Sequence, residues 1–176
     1  KEDSPTPLEG AGRRPTGLTL NGEVLTLLGA ELGVDYIAVV ACSITGEIRF
    51  QSRLPYQHTN VETSVRQLAD ILCHTWKLML SLNHHMLGLG VSVPGLVNAL
   101  DGHVVDLPNI GWQNIDLIDM LHQRFVQQHM PEIDITIIND ANAGALSEFV
   151  FGRSQYHRNH IIHFTVGIGG GVGHVS

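Results

Sequence analysis

The chain has 176 residues, 43% of them apolar, and its 10 basic and 17 acidic side chains give a formal charge of −7. A chain of this size buries roughly two-thirds of the surface its unfolded form exposes, enough for one real core, which excludes a disordered protein. The negative balance has the wrong sign for neutralising phosphates, so this segment is not expected to grip DNA by itself, and no apolar run reaches the ~18 residues that span a bilayer.

Residues Lys1 to Pro15 mix charge, proline and glycine without an apolar period, the composition of a linker, which is taken to extend to residue 21. From Leu25, β-rich segments including YIAVVACSI and EIRFQSRL are separated by glycine-bearing turns and predict a three-stranded antiparallel meander. Asn60 to His84 then places Val65, Leu68, Leu72, Trp76, Met79 and Leu80 three and four apart, one apolar stripe at the helical period. Met86 to Val93 is a nearly continuous apolar run ending at Pro94-Gly95, which predicts a parallel strand buried on both faces. Helical periodicity returns from Ile115 to Val126 through Ile118, Leu121 and Phe125, and is followed by the strand-like IDITII ending at Asp140. Ala141 to Phe151 has the composition of a helix that stops at Gly152, and His160 to Val166 reads as another strand before Gly167-Ile168-Gly169-Gly170-Gly171, with no element expected after that run. This alternation predicts an α/β sheet.

Cys42 and Cys73 fall in an apolar strand and an amphipathic helix, where a free thiol serves as a small core hydrophobe, and the opening residues lack a secretory signal pattern; a reducing cytoplasm is the expected home. Eleven histidines include no HExxH pair, and the adjacent His84 and His85 diverge by about 100° on a helix.

Candidate chemistry gathers at strand ends. Asp140 follows a strand and opens a helix, where ligands of open α/β sheets bind. Its carboxylate has two readings: acceptor of a sugar hydroxyl, and proton acceptor in a kinase, or simply a helix cap. Pro94-Gly95 and Pro108-Asn109 bring backbone and an amide to turns, as sugar-cleft elements or as turns alone. Gly167 to Gly171 suits either a phosphate cradle or a plain hairpin.

In this order the segments resemble the ROK family of sugar kinases and NagC/XylR-type repressors. Gly12-Arg13-Arg14-Pro15-Thr16 with Leu18 and Leu20 is similar to the GRRPxxLxLN stretch that follows the winged helix-turn-helix of the repressors. Gly90-Val91-Ser92-Val93-Pro94-Gly95-Leu96-Val97 with Gly102 resembles GIxxPGxVD…G. Pro108-Asn109-Ile110-Gly111-Trp112 resembles PNLxGW, and Asn139-Asp140-Ala141-Asn142-Ala143 with Glu148 and Phe151-Gly152 resembles NDANAAAxGExxFG.

The resemblance implies an α/β fold of the actin/hexokinase/Hsp70-like (ribonuclease H-like) kind. Residues 22–140 would form the N-terminal lobe and 141–176 the beginning of an incomplete C-terminal one, after a linker over 1–21. It implies that Pro94, Gly95, Asn109, Asn139 and Asp140 line a sugar cleft, with Asp140 in the catalytic-base position of the kinases. Gly167, Gly169, Gly170 and Gly171 would be the remnant of a phosphate loop. The kinases' first phosphate loop, DxGGTK, is replaced here by Glu31-Leu32-Gly33-Val34-Asp35-Tyr36, so the expectation leans away from an enzyme; ATP and Mg enter only under the kinase alternative.

The family's Cys-rich zinc segment is absent, and Gly173-His174-Val175 resembles the motif that supplies its histidine. No metal is therefore expected in this chain; His174 is the zinc candidate, and zinc remains a possibility for a full-length protein. The implied partners are a small-molecule sugar, a second copy in the full-length protein, and operator DNA held by a winged helix preceding Lys1; no membrane is expected.

Overall fold

The computed structural model describes residues 22–57, 60–98, 100–152, 160–166 and 170–175. The expected linker, 1–21, with its Gly-Arg-Arg-Pro motif, and Gly167 and Gly169 of the glycine run lie outside the described residues.

Strands β1 (Leu25–Leu32), β2 (Tyr36–Ser43) and β3 (Ile48–Pro55) form the predicted antiparallel meander. Helix α1 (Val61–Ser81) leads into β4 (His85–Val93), which pairs parallel with β1. Helix α2 (Leu117–Gln127) leads into β8 (Ile135–Asn139), parallel to β4. The sheet order is β3-β2-β1-β4-β8. Three short strands, β5 (Leu96–Val97), β6 (Val104–Leu107) and β7 (Trp112–Ile115), make a separate antiparallel sheet between β4 and α2. Helix α3 (Asp140–Phe151) and the hairpin of β9 (Ile161–Val166) and β10 (Gly170–Val175) follow. No helix among the described residues is long and apolar enough to cross a membrane.

Alternation organises the core. Leu28, Ala30 and Leu32 on β1, Ile37, Val39 and Ala41 on β2, and Leu89, Val91 and Val93 on β4 are all buried on the face toward α1 and α2. Helix α1 starts where the Asn60 side chain accepts from the Thr63 N–H at 2.8 Å, satisfying one orphan donor of the first turn. It then buries Val65, Leu68, Leu72, Trp76 and Met79, each such apolar side chain contributing about 1.5–3 kcal/mol. Helix α2 is capped in the same way by Asp116, accepting from Asp119 at 3.1 Å, and buries Leu117, Leu121 and Phe125.

Several expectations need correction. Strand β4 is covered on one face only: Leu89, Val91 and Val93 are buried toward α1, whereas Gly90 is exposed and neither Gly88 nor Gly90 carries a side chain on the side away from α1. A run rich in glycine looks continuously apolar without being buried twice. Leu80 is not part of the helix stripe but half exposed, and Ile115 closes β7, with Asp116 starting α2 after it. Gly170 and Gly171 lie in strand β10, so an element does follow the start of the glycine run. Cys73 is buried, while Cys42 is only partly so. Burial holds the Cys73 thiol up to about 11, which keeps it protonated and inert at neutral pH.

Candidate functional site at the parallel strand ends

Because β1, β4 and β8 run parallel, their C-terminal ends share one edge of the sheet. That edge carries the Gly33–Asp35 turn, Pro94-Gly95, and Asn139-Asp140, and the turn between β6 and β7 adds Pro108-Asn109. All of them line a single cleft of about 540 Å³, closed on its far side by Thr165, Val166, Gly170 and Gly171 of the β9–β10 hairpin. The structure thus brings Pro94, Gly95, Asn109, Asn139 and Asp140 together, from three separate stretches of sequence.

Local contacts give these residues different tasks. The α3 cap is Asn139, whose Oδ1 accepts from the Asn142 N–H at 3.1 Å; Asp140, the alternative cap, is the first helical residue instead. The Asn139 Nδ2 donates to the Gly95 carbonyl at 2.9 Å and to Asp140 Oδ1 at 3.1 Å. Both ends of its amide are therefore engaged, and Asn139 positions its neighbours. Asp140 Oδ1 also accepts the Ala141 N–H at 2.8 Å, whereas Oδ2 has no hydrogen-bond partner among the described residues. A half-buried carboxylate fixed through one oxygen, with the other facing a cleft, suits a hydroxyl donor. Asn109 is exposed at the opposite rim.

Close backbone approaches hold the walls. A Cβ at Gly95 would lie 2.4 Å from the Asp106 carbonyl oxygen, so only glycine lets this turn rest on β6. A Cβ at Gly173 would lie 2.0 Å from the Ala141 carbonyl oxygen, so β10 lies directly on the first turn of α3.

Sequence reasoning missed the cluster at the β1–β2 turn. The Tyr36 hydroxyl donates to the Glu31 carboxylate, and the Arg53 guanidinium lies over the Tyr36 ring, 3.6 Å from its centre, a contact contributing about 0.5–1 kcal/mol at an exposed site. The Gly33 N–H donates to the Tyr36 carbonyl at 2.9 Å, and the ring folds back so closely that a Cβ at Gly33 would meet it at 2.6 Å. Burial first, then the Glu31 hydrogen bond and charge, push the Tyr36 phenol up to about 12; Arg53 opposes this, and Asp140 adds a smaller rise. Val34 packs partly against the core. The Tyr36 side chain thus occupies part of this turn. Counting outward from the Thr45-Gly46 turn would have placed Arg53 opposite Ala38, where it lies.

The His174 ring stacks on that of His160, with centroids 5.9 Å apart. Among the described residues, no group of three or more His, Cys, Asp or Glu is arranged to hold a metal, so His174 has no zinc-ligand set around it there.

Residues 27–176 match the ROK family. The chain belongs to it. It is 34% identical over 166 residues to a xylose repressor of Caldicellulosiruptor bescii, a match covering 92% of this chain and 39% of that protein. A glucokinase of Streptomyces coelicolor is 28% identical over 146 residues, covering 82% of this chain and 42% of the enzyme. The fold superposes on a ROK family transcriptional regulator, a homologue of the E. coli MLC protein, with a TM-score of 0.75 at 22% identity, over 90% of this chain and 38% of that one. The ROK chain described here therefore has the actin/hexokinase-like arrangement in part, and it spans about two-fifths of the length of the curated relatives it matches.

Proposed function

We propose that this chain is the sugar-sensing part of a ROK-family transcriptional repressor, and that its effector is a pentose of the xylose type held in the cleft around Asp140. The observation that carries this reading is one cleft in which Asp140 and Asn109 offer hydroxyl-binding groups while the Tyr36 cluster occupies part of the turn that corresponds to the kinases' phosphate loop. Asp140 accepts from one hydroxyl, and the Asn109 amide donates to or accepts from others. Similarity to a xylose repressor supports the choice of effector. Phosphoryl transfer rests on positioning the phosphates and stabilising their charge. A carboxylate at Asp35 and a neutral phenol at Tyr36 provide neither, which favours a sensor over a kinase.

In this reading the protein works in the cytoplasm as a homo-oligomer, and operator DNA is gripped by a part outside these 176 residues, since their net charge of −7 repels phosphate. Bound sugar favours one arrangement of the cleft walls and thereby shifts the equilibrium between DNA-competent and incompetent forms. A coupling of about 1–3 kcal/mol changes operator affinity roughly 5- to 150-fold.

The test is calorimetric titration of the full chain with xylose, other pentoses, hexoses and amino sugars, with and without Mg-ATP, beside Asp140→Asn. Xylose is expected to bind without nucleotide turnover. Asp140→Asn should weaken binding about 10-fold or more, as loss of a charged acceptor does, while stability changes by no more than about 1 kcal/mol. Sugar-dependent ATP turnover abolished by Asp140→Asn would make the protein a kinase. Absence of binding by every sugar would overturn the sensor reading.

A further inference from the structure

We propose that Arg53 is a specificity-determining residue of the cleft, seated on the Tyr36 ring so that its guanidinium donates hydrogen bonds to hydroxyls of a bound neutral sugar on the side away from Asp140. The proposal rests on the sugar-sensing reading above.

The register of the sheet places Arg53 there. Ala38 is the partner of Arg53 on β3 and of Glu31 on β1, and Glu31 is the partner of Ser92 on β4. One row across the sheet therefore presents arginine, alanine, glutamate and serine on the face that α1 and α2 leave open. Tyr36, two residues before Ala38 and on the same side of β2, bridges this row: its hydroxyl reaches Glu31 and its ring lies beneath Arg53. Ala38 ends at Cβ, which leaves room for both long side chains to lie across it.

An exposed arginine on an edge strand ordinarily samples many rotamers. Here the ring fixes the plane of the guanidinium, and Glu31 fixes the ring, so less freedom is lost when Arg53 bonds a ligand. Arg53 lines the cleft, and it also lines the groove of about 970 Å³ that continues from it between α3 and the open face of the sheet.

The chemistry of the two walls is complementary. A guanidinium only donates, an ionised carboxylate only accepts, and a sugar hydroxyl does both. A sugar held between them donates toward Asp140 and accepts from Arg53. Removing a hydroxyl on the Arg53 side gives up a charge-assisted hydrogen bond to a donor already held in place, which is how a polar site discriminates against an analogue that lacks one group. Glu31, Asp35 and Asp140 outnumber Arg53 around the cleft, so the ligand class is a neutral polyol rather than a sugar phosphate.

The experiment measures affinities of the full chain for xylose and for each mono-deoxy xylose, in the wild type, Arg53→Met and Tyr36→Leu, with thermal midpoints alongside. In the wild type, at least one deoxy position should weaken binding about 10-fold or more. In Arg53→Met that same analogue should bind as well as xylose, within about 2-fold, while the other deoxy positions keep their cost; a purely structural role would not yield such position-selective coupling. Tyr36→Leu, which keeps the guanidinium and removes its seat, should shrink the same penalty in part. Identical deoxy penalties in the wild type and Arg53→Met, with unchanged midpoints, would overturn the role of Arg53 and leave the sensor reading intact. A wild type that binds no sugar removes both, and is recognised before any variant is made.

Discussion

On the side of the sheet under α1 and α2, the row Val39, Ala30, Val91 and Ile137 is at most 8% exposed and wholly apolar. One residue further along each of these strands toward the cleft edge, the opposite face carries Ala38, Glu31, Ser92 and Ile138, with Arg53 at the edge, and stands over a groove partly roofed by α3. The same strands thus carry two messages in alternate positions. One set fills a core at the density where a lost methylene is felt; the other leaves room for a ligand and supplies its charges. The lesson is that parity along a strand, more than distance from the cleft, should sort the effects of substitutions.

The largest expected effect tests the packed side. Leu72→Ala, on the buried stripe of α1, should cost about 2–5 kcal/mol in denaturant unfolding, with sugar affinity of the folded fraction unchanged. A comparable loss of affinity would show that the two faces are not independent. Gly173→Ala should breach the separation deliberately: its Cβ collides with the Ala141 carbonyl, so relieving the clash displaces either β10 or the first turn of α3. A loss of about 1–3 kcal/mol is expected together with weaker sugar binding, read from one titration and one melt. The smallest effect sharpens the open side. Tyr36 titrates near 10 when unfolded and about 12 when folded, so the contribution of its proton to stability is complete below pH 10 and is lost as pH rises toward 12. The wild type should lose stability over that window relative to Tyr36→Phe, and parallel unfolding curves for the two proteins would show that burial and Glu31 together do not raise the phenol.

Helices α1 and α2 were legible because their apolar residues recur at three and four, as a buried face imposes, and the meander, β4 and β8 because β-rich or apolar runs stand between glycine-bearing turns and helices. The small β5–β7 sheet was not: strands of two and four residues are too short to show a period. The one-sided burial of β4 was hidden by Gly88 and Gly90, which count as apolar but have no side chain to bury. At the cleft, Asp140 was legible from its place between a strand and a helix. The capping role of Asn139 was not, because either of two adjacent residues can cap a helix and only the Asn142 N–H, which bonds Asn139 Oδ1, sorts them. Arg53 was hidden for a different reason: its seat is Tyr36, on another strand, and nothing local to Arg53 announces an aromatic ring beneath it.

Arg49 gives β1 a further property. Its guanidinium donates to the carbonyls of Gly22, Glu23 and Leu25, to the Thr26 hydroxyl and to His84 Nδ1, and the His85 N–H donates to the Val24 carbonyl at 2.9 Å. One end of β1 is thereby riveted, while its other end carries Glu31 beneath the Tyr36 cluster, about 20 Å away by strand rise. The ladders to β2 and β4 on either side keep the strand between these ends from buckling. Mechanically, β1 is held at both ends, by Arg49 at Leu25 and Thr26 and by the Tyr36 hydroxyl at Glu31, so the two ends share one rigid span.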